Sequence, residues 1–106
     1  MSEFKRISPA QAQAMLSSGR CLIADIRDQQ SYQHSHVPGA LHLGNHNLQE
    51  FVDSSDHDQP LIVYCYHGIS SQNAAQYLAD QQFTSVYSMD GGFELWQQNY
   101  PDQTES

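Results

Sequence analysis

Two short runs, "CLIAD" at residues 21–25 and "LIVYC" at residues 61–65, constrain this chain more than anything else in it. Each is apolar without a break and has the length of a strand. A strand with one face in water alternates apolar and polar residues, whereas a strand covered on both faces has no need to. Two such strands ask for a sheet with helices on both sides, and the remaining chain supplies the parts. "FKRI" (4–7) is predicted as an edge strand, and "ALHL" (40–43) and "SVYSM" (85–89) as two more. Strand-like runs that alternate with helical patterns indicate an α/β domain with a parallel sheet.

The predicted helices carry their own boundaries. "SPAQAQAMLSSG" (8–19) has Ser8 to cap it, Pro9 in the first helical position and Gly19 to stop it. Ala12, Met15 and Leu16 give it an apolar stripe. "NLQEFVDSS" (47–55) reads as a short helix, and the stretch from Ser70 to about Gln82 as a better one, with Ala74, Ala75, Leu78 and Ala79 on one side. Ser70 and Ser71 suit its N-cap. A last helix, "GFELWQQN" (92–99), is expected to dock Phe93 and Trp96 on the sheet, and the polar tail 101–106 to fray. The expectation is a single domain over 1–106 with its core at about 4–99; a chain of 106 residues is long enough for one modest core.

Charge excludes some functions. The formal net charge is −8, and all four basic residues (Lys5, Arg6, Arg20, Arg27) precede Asp28. A nucleic-acid binder needs clustered cations against phosphate, so that class is set aside. No run approaches the ~20 apolar residues of a membrane span, and "MSEFKRISPAQ" has no secretory apolar region. A cytosolic location is the expectation. Cys21 and Cys65 are too few for a disulfide scaffold, and they form no CxxC or Cys/His metal spacing. His42 and His46 would share a face only on a helix, and "GALHLGNHN" reads as strand and turn. "DSSDHD" (53–58) lacks the glycine and distal glutamate of a calcium loop. No metal or cofactor is expected.

The chemistry concentrates in "VYCYHGISSQNAAQYL" (63–78). Cys65 closes a strand, which puts its sulfur at the sheet edge where ligands gather in open α/β folds. "YHGISS" must then turn the chain into a helix. Its amides and those of the first helical turn converge on one point, and the positive helix end favours an anion there. A thiol so placed becomes more acidic. The plainer reading, that Cys65 is simply the last core residue of its strand, stays open at this level. If Cys65 is a nucleophile, two chemistries use such a loop. A cysteine phosphatase needs Cys-x5-Arg for bidentate phosphate binding, and the arginine position here is Ser71. A cysteine that accepts one sulfur atom demands less, since its persulfide carries a single negative charge.

Three blocks then resemble the rhodanese-domain family in order. "DIRDQQSYQHSHVPGALHL" (25–43) is similar to its D-x-R motif followed by an aromatic residue and G-H-I-P-G-A. "CYHGISS" (65–71) is similar to its nucleophile loop, and "VYSMDGGFELW" (86–96) to its closing strand, D-G-G turn and Trp-bearing helix. The resemblance implies a five-stranded parallel sheet of order 1-5-4-2-3 with helices on both faces. It implies that Cys65 is the nucleophile, attacking the outer sulfur of thiosulfate, expelling sulfite and passing the sulfur to cyanide or a thiol, with thioredoxin a candidate protein acceptor. The amides of Tyr66, His67, Gly68, Ile69, Ser70 and Ser71 would hold the persulfide, and the side chains of Tyr66, His67 and Ile69 would line the approach. Asp25 and Arg27 are expected to brace the fold, Tyr32, His36 and Gly39 to set a turn, and Phe93 to reach the pocket.

Two departures matter. Ser35 stands where the family block has glycine, and the loop has no basic residue apart from His67. With the net charge of −8, the field should slow a dianion such as thiosulfate. The rival functions are a non-catalytic persulfide carrier or regulatory module that depends on a protein partner, and a phosphatase or arsenate reductase on the same fold. Cys21 is expected four residues out of step with Cys65 on the adjacent strand, roughly 13 Å at ~3.3 Å per residue. That exceeds the ~7 Å of a disulfide, so Cys21 is assigned to the core.

Overall fold

In the computed structural model, which describes residues 3–106, the two apolar runs become neighbouring central strands. The strands are β1 (Lys5–Ile7), β2 (Leu22–Asp25), β3 (Leu41–His42), β4 (Leu61–Tyr64) and β5 (Val86–Met89). All pairings among them are parallel, in the order β1-β5-β4-β2-β3 that the family resemblance implied. Every residue of β4 is buried, which is why its sequence never alternates.

Successive β4 residues face opposite layers. Leu61 and Val63 join Ala24 and Val86 under Phe51 and Val52 of α3 (Leu48–Ser54) and Ala75, Leu78 and Ala79 of α4 (Ser70–Asp80). Ile62 and Tyr64 join Ile7, Ile23 and Met89 under Ala12 of α1 (Pro9–Ser17) and Phe93 and Trp96 of α5 (Gly92–Asn99). The α1 boundary is the one its sequence announces. Ser8 Oγ accepts from the Gln11 amide at 3.1 Å and the Gln11 side chain accepts from the Ser8 amide at 2.8 Å, a reciprocal cap. Among the described residues, no helix is long and apolar enough to cross a membrane.

Three expectations need correction. The stretch 29–34, given no element in the sequence and holding Tyr32 of the expected turn, is a helix, α2 (Gln29–His34), capped by Asp28 accepting from the Ser31 amide at 3.0 Å. It buries none of its residues, so there is no apolar stripe for a sequence pattern to reveal. The N-cap of α4 is Ile69, not Ser70 or Ser71, and no side chain caps it. The amide of Ser71 points instead at the Cys65 sulfur, 3.2 Å away, so the helix start serves the thiol rather than a capping hydroxyl. The tail does not fray. Gln103 O accepts from the buried Trp96 indole at 2.8 Å, Glu105 exchanges backbone hydrogen bonds with His36 at 2.8 and 2.9 Å, and Glu105 Oε1 accepts from the Gly39 amide at 2.8 Å. A buried indole N–H needs an acceptor, and the tail brings one.

Candidate active site

β4 delivers Cys65 to the carboxyl edge of the sheet, where its residue is only 5% exposed. From there the chain turns through residues 66–69 into α4. Gly68 makes the turn possible. Its φ is +84°, and a Cβ would lie 2.7 Å from the Gly91 amide nitrogen, so no other residue lets the loop lean on the turn after β5. The turn brings a donor to the sulfur. The Ser71 amide donates to Sγ from 3.2 Å. Burial pushes the Cys65 thiol up, but hydrogen bonding from Ser71 and from the backbone of Gly68 and His67 favours the thiolate and the net shift is downward.

The loop's other side is held by α5. The amides of Phe93 and Glu94 donate to the carbonyls of Cys65 and Tyr66 at 2.8 and 3.1 Å. A Cβ on Gly92 would fall 2.4 Å from Cys65 O and 2.5 Å from Tyr66 O. Two helix N-termini therefore divide the work: α5 takes up loop carbonyls, and α4 presents the Ser71 amide to the sulfur. The amides of residues 93 and 94 could not be found in the sequence, because backbone groups leave no signature in residue type.

Above Cys65 lies a cavity of about 450 Å³ lined by Ile26, Arg27, Asp28, Tyr66, His67, Ile69 and Ser70. Of the loop residues expected to bind substrate, Tyr66, His67, Ile69 and Ser70 face this cavity, and Ile69 is 74% exposed. Gly68 acts through its amide, and Ser71 is wholly buried beneath the sulfur. Phe93 stays buried and reaches a neighbouring cavity beside Arg27 and Tyr66.

Charge around the cavity is mixed. Arg27 is buried against fully buried Asp25, with Nη2 2.7 Å from Oδ2 and Nε 3.0 and 3.1 Å from the two oxygens. Nη2 also donates to Ser35 O at 2.6 Å, and the guanidinium carbon lies 4.2 Å from the Phe93 ring centre. These contacts suit a brace. The Tyr66 hydroxyl donates to Asp28 at 2.8 Å and meets the Ser31 hydroxyl. The Ser31 amide, then the Tyr66 and Ser31 hydroxyls, hold the Asp28 carboxyl down at about 2, so it is charged at neutral pH. His67 Nδ1 lies 3.3 Å from Glu94 Oε2 at the exposed rim.

Cys21 is elsewhere. The register of Leu22 with Leu61 sets it level with Pro60, five residues short of Cys65 rather than the four expected, and both cysteines are free. Its Sγ donates to Leu22 O at 3.4 Å, and burial pushes its thiol up to about 11.

Fold and site together define a class, and residues 8–99 match it: the chain belongs to the rhodanese-like domain family. It is 58% identical over 104 residues to the thiosulfate sulfurtransferase GlpE of Ectopseudomonas mendocina, covering 98% of this chain and 94% of the relative. It is 55% identical over 104 residues to that of Pseudomonas savastanoi pv. phaseolicola, covering 98% and 97%. The solution structure of a rhodanese-like domain from Anabaena sp. superposes with a TM-score of 0.82 at 22% identity, covering 95% of this chain and 78% of that one.

Proposed function

We propose that this chain is a sulfurtransferase that moves the outer sulfur of thiosulfate to a thiol or to cyanide through a persulfide on Cys65. The observation that carries the reading is the Ser71 amide at the start of α4, 3.2 Å from a buried Sγ at the carboxyl edge of the sheet. In the first half-reaction the Cys65 thiolate attacks the outer sulfur, the S–S bond of thiosulfate breaks, and sulfite leaves with the bonding pair. The negative charge then sits on the terminal persulfide sulfur, within reach of the amides of residues 66–71. In the second, the acceptor attacks that sulfur and the electron pair returns to Cys65 as thiolate, a covalent two-step cycle. The side chains of Tyr66, His67 and Ile69 line the approach.

The relatives named for thiosulfate support the donor class. For acceptors, a small thiol or cyanide comes first and a protein dithiol such as thioredoxin second. Two free cysteines fit work in a reducing compartment, and we assign it to the cytosol. The phosphatase alternative lacks its arginine: Ser71 holds that position, and Arg27 is engaged by Asp25 and Ser35.

Initial rates with thiosulfate and cyanide both varied test the proposal. Parallel double-reciprocal lines are expected for a persulfide cycle. Intersecting lines would mean that both substrates bind before any sulfur moves, and would overturn it.

A further inference from the structure

Beside Tyr66 lies a second cavity that the cycle above leaves unused. It holds about 500 Å³, within the range of small-molecule sites and far more than cyanide needs. Gln30, Ser31 and His34 of α2 line it together with Phe93, Glu94 and Gln97 of α5. Arg27 and Tyr66 form the wall that it shares with the cavity over Cys65. Since α2 buries none of its residues, packing against the core does not explain its position; what it contributes is this wall.

The shared wall holds a donor with nothing to bind. The Arg27 side chain is only 3% exposed, and Nε and Nη2 make all its side-chain hydrogen bonds, to Asp25 and to Ser35 O. Among the described residues no fully buried side-chain nitrogen or oxygen lacks a partner, so Nη1 opens onto a cavity that Arg27 lines. The guanidinium's neighbours show which one. Phe93, whose ring centre lies 4.2 Å from the guanidinium carbon, and Ser35, which accepts from Nη2, line the cavity between α2 and α5 and not the one over Cys65. Charge narrows what Nη1 can take. Asp25 already offsets the Arg27 charge, while Glu94 and ionised Asp28 stand at the two cavities. An anion gains little there, whereas an uncharged carbonyl oxygen suits the free N–H group. Gln30 and Gln97 add side-chain amides of the kind that pair with another amide.

We propose that this cavity is the acceptor site for sulfur transfer and takes a small uncharged thiol bearing an amide, whose carbonyl oxygen accepts from Arg27 Nη1. The inference rests on the reading of Cys65 as nucleophile and deepens it by naming the acceptor class. The thiol loses its proton to solvent, and the thiolate reaches past Tyr66 to attack the terminal sulfur of the persulfide. A new S–S bond forms, the bond to Cys65 breaks, and its electron pair stays on Cys65 as thiolate.

The test compares sulfite release from thiosulfate with two acceptors: N-acetylcysteamine, an uncharged amide thiol, and 2-mercaptoethanol, which has no amide. Wild type should favour N-acetylcysteamine about tenfold in kcat/KM. Gln97→Trp, at an exposed position of α5, fills the cavity and should bring that ratio to within about twofold of one. Arg27→Lys should do the same, because an ammonium facing Asp25 leaves no second nitrogen for the ligand. A loss that falls on both acceptors alike cancels in the ratio, so a merely structural effect does not move it. Equal use of the two thiols by wild type, or an unchanged ratio in Gln97→Trp, would overturn the proposal. A binding measurement separates it from the reading beneath it. N-ethylacetamide, which has the amide but no thiol, should shift the Gln30 and Gln97 side-chain signals in the NMR spectrum of isotope-labelled protein. Those shifts in a protein that releases no sulfite would fault the sulfur-transfer reading and leave the amide site standing. No shift would overturn the site whatever the activity.

Discussion

Cys21 and Cys65 lie beside adjacent parallel strands at opposite edges of one sheet, and their sulfurs meet opposite surroundings. Cys65 is the more buried of the two, yet its thiol is shifted down, while half-buried Cys21 is shifted up to about 11. Burial alone would give the reverse order. The difference lies in what each sulfur touches. Cys65 accepts from the Ser71 amide at the carboxyl end of β4, whereas Cys21 has a carbonyl oxygen, that of Leu22, as its partner. Donors stabilise a thiolate and a carbonyl does not. The polarity of a parallel sheet, with helix starts gathered at its carboxyl edge, thus assigns opposite chemistry to the same residue type.

The sharpest way to break this comparison is to remove each sulfur in turn. Cys65→Ser should abolish sulfur transfer in a folded protein; equal losses in Cys65→Ser and Cys21→Ser would remove the distinction between them. A smaller blow falls on the frame around the loop. Gly92→Ala puts a Cβ against the carbonyls of Cys65 and Tyr66, and a displaced nucleophile should cost roughly ten- to a hundredfold in turnover. A change of less than twofold would show that α5 does not hold the loop.

Differential alkylation sharpens the contrast without mutation. A lowered pKa means more thiolate at a given pH, so near pH 7 Cys65 should be labelled first, with Cys21 lagging until the medium becomes strongly alkaline. Peptide mass mapping over a pH series reads this directly, and faster labelling at Cys21 would contradict it. Salt should have a milder effect. With a net charge of −8 and ionised Asp28 at the cavity, screening should raise kcat/KM for thiosulfate a few-fold between low and physiological ionic strength, where the Debye length falls to about 8 Å. A marked fall with salt would point to an attracting cation. The smallest effect is expected for Cys21→Ser, whose sulfur transfer should stay within about twofold of wild type, since its sulfur makes one weak bond far from the cavity.

What could be read in advance follows the same physics. Continuous apolarity marked β2 and β4 because both faces of each are covered, and Ser8, Pro9 and Gly19 marked α1 because caps and stops depend on residue type. The placement of Cys65 at the sheet edge was legible because a strand-like run ends there and a helical pattern follows. α2 was not, since it has no buried stripe, and the docking of the tail was not, since Gln103 and Glu105 act largely through backbone atoms. The support from Phe93 and Glu94 was hidden for a related reason, since both work through backbone amides.

The central claim is that Cys65 carries the sulfur, and intact-protein mass tests it most directly. Wild type and Cys65→Ser, reduced and folded, would be incubated with thiosulfate and weighed, then treated with cyanide and weighed again. The account predicts a gain of one sulfur atom in wild type that cyanide reverses, and none in the variant. No gain in wild type, or the same gain in Cys65→Ser, would contradict it.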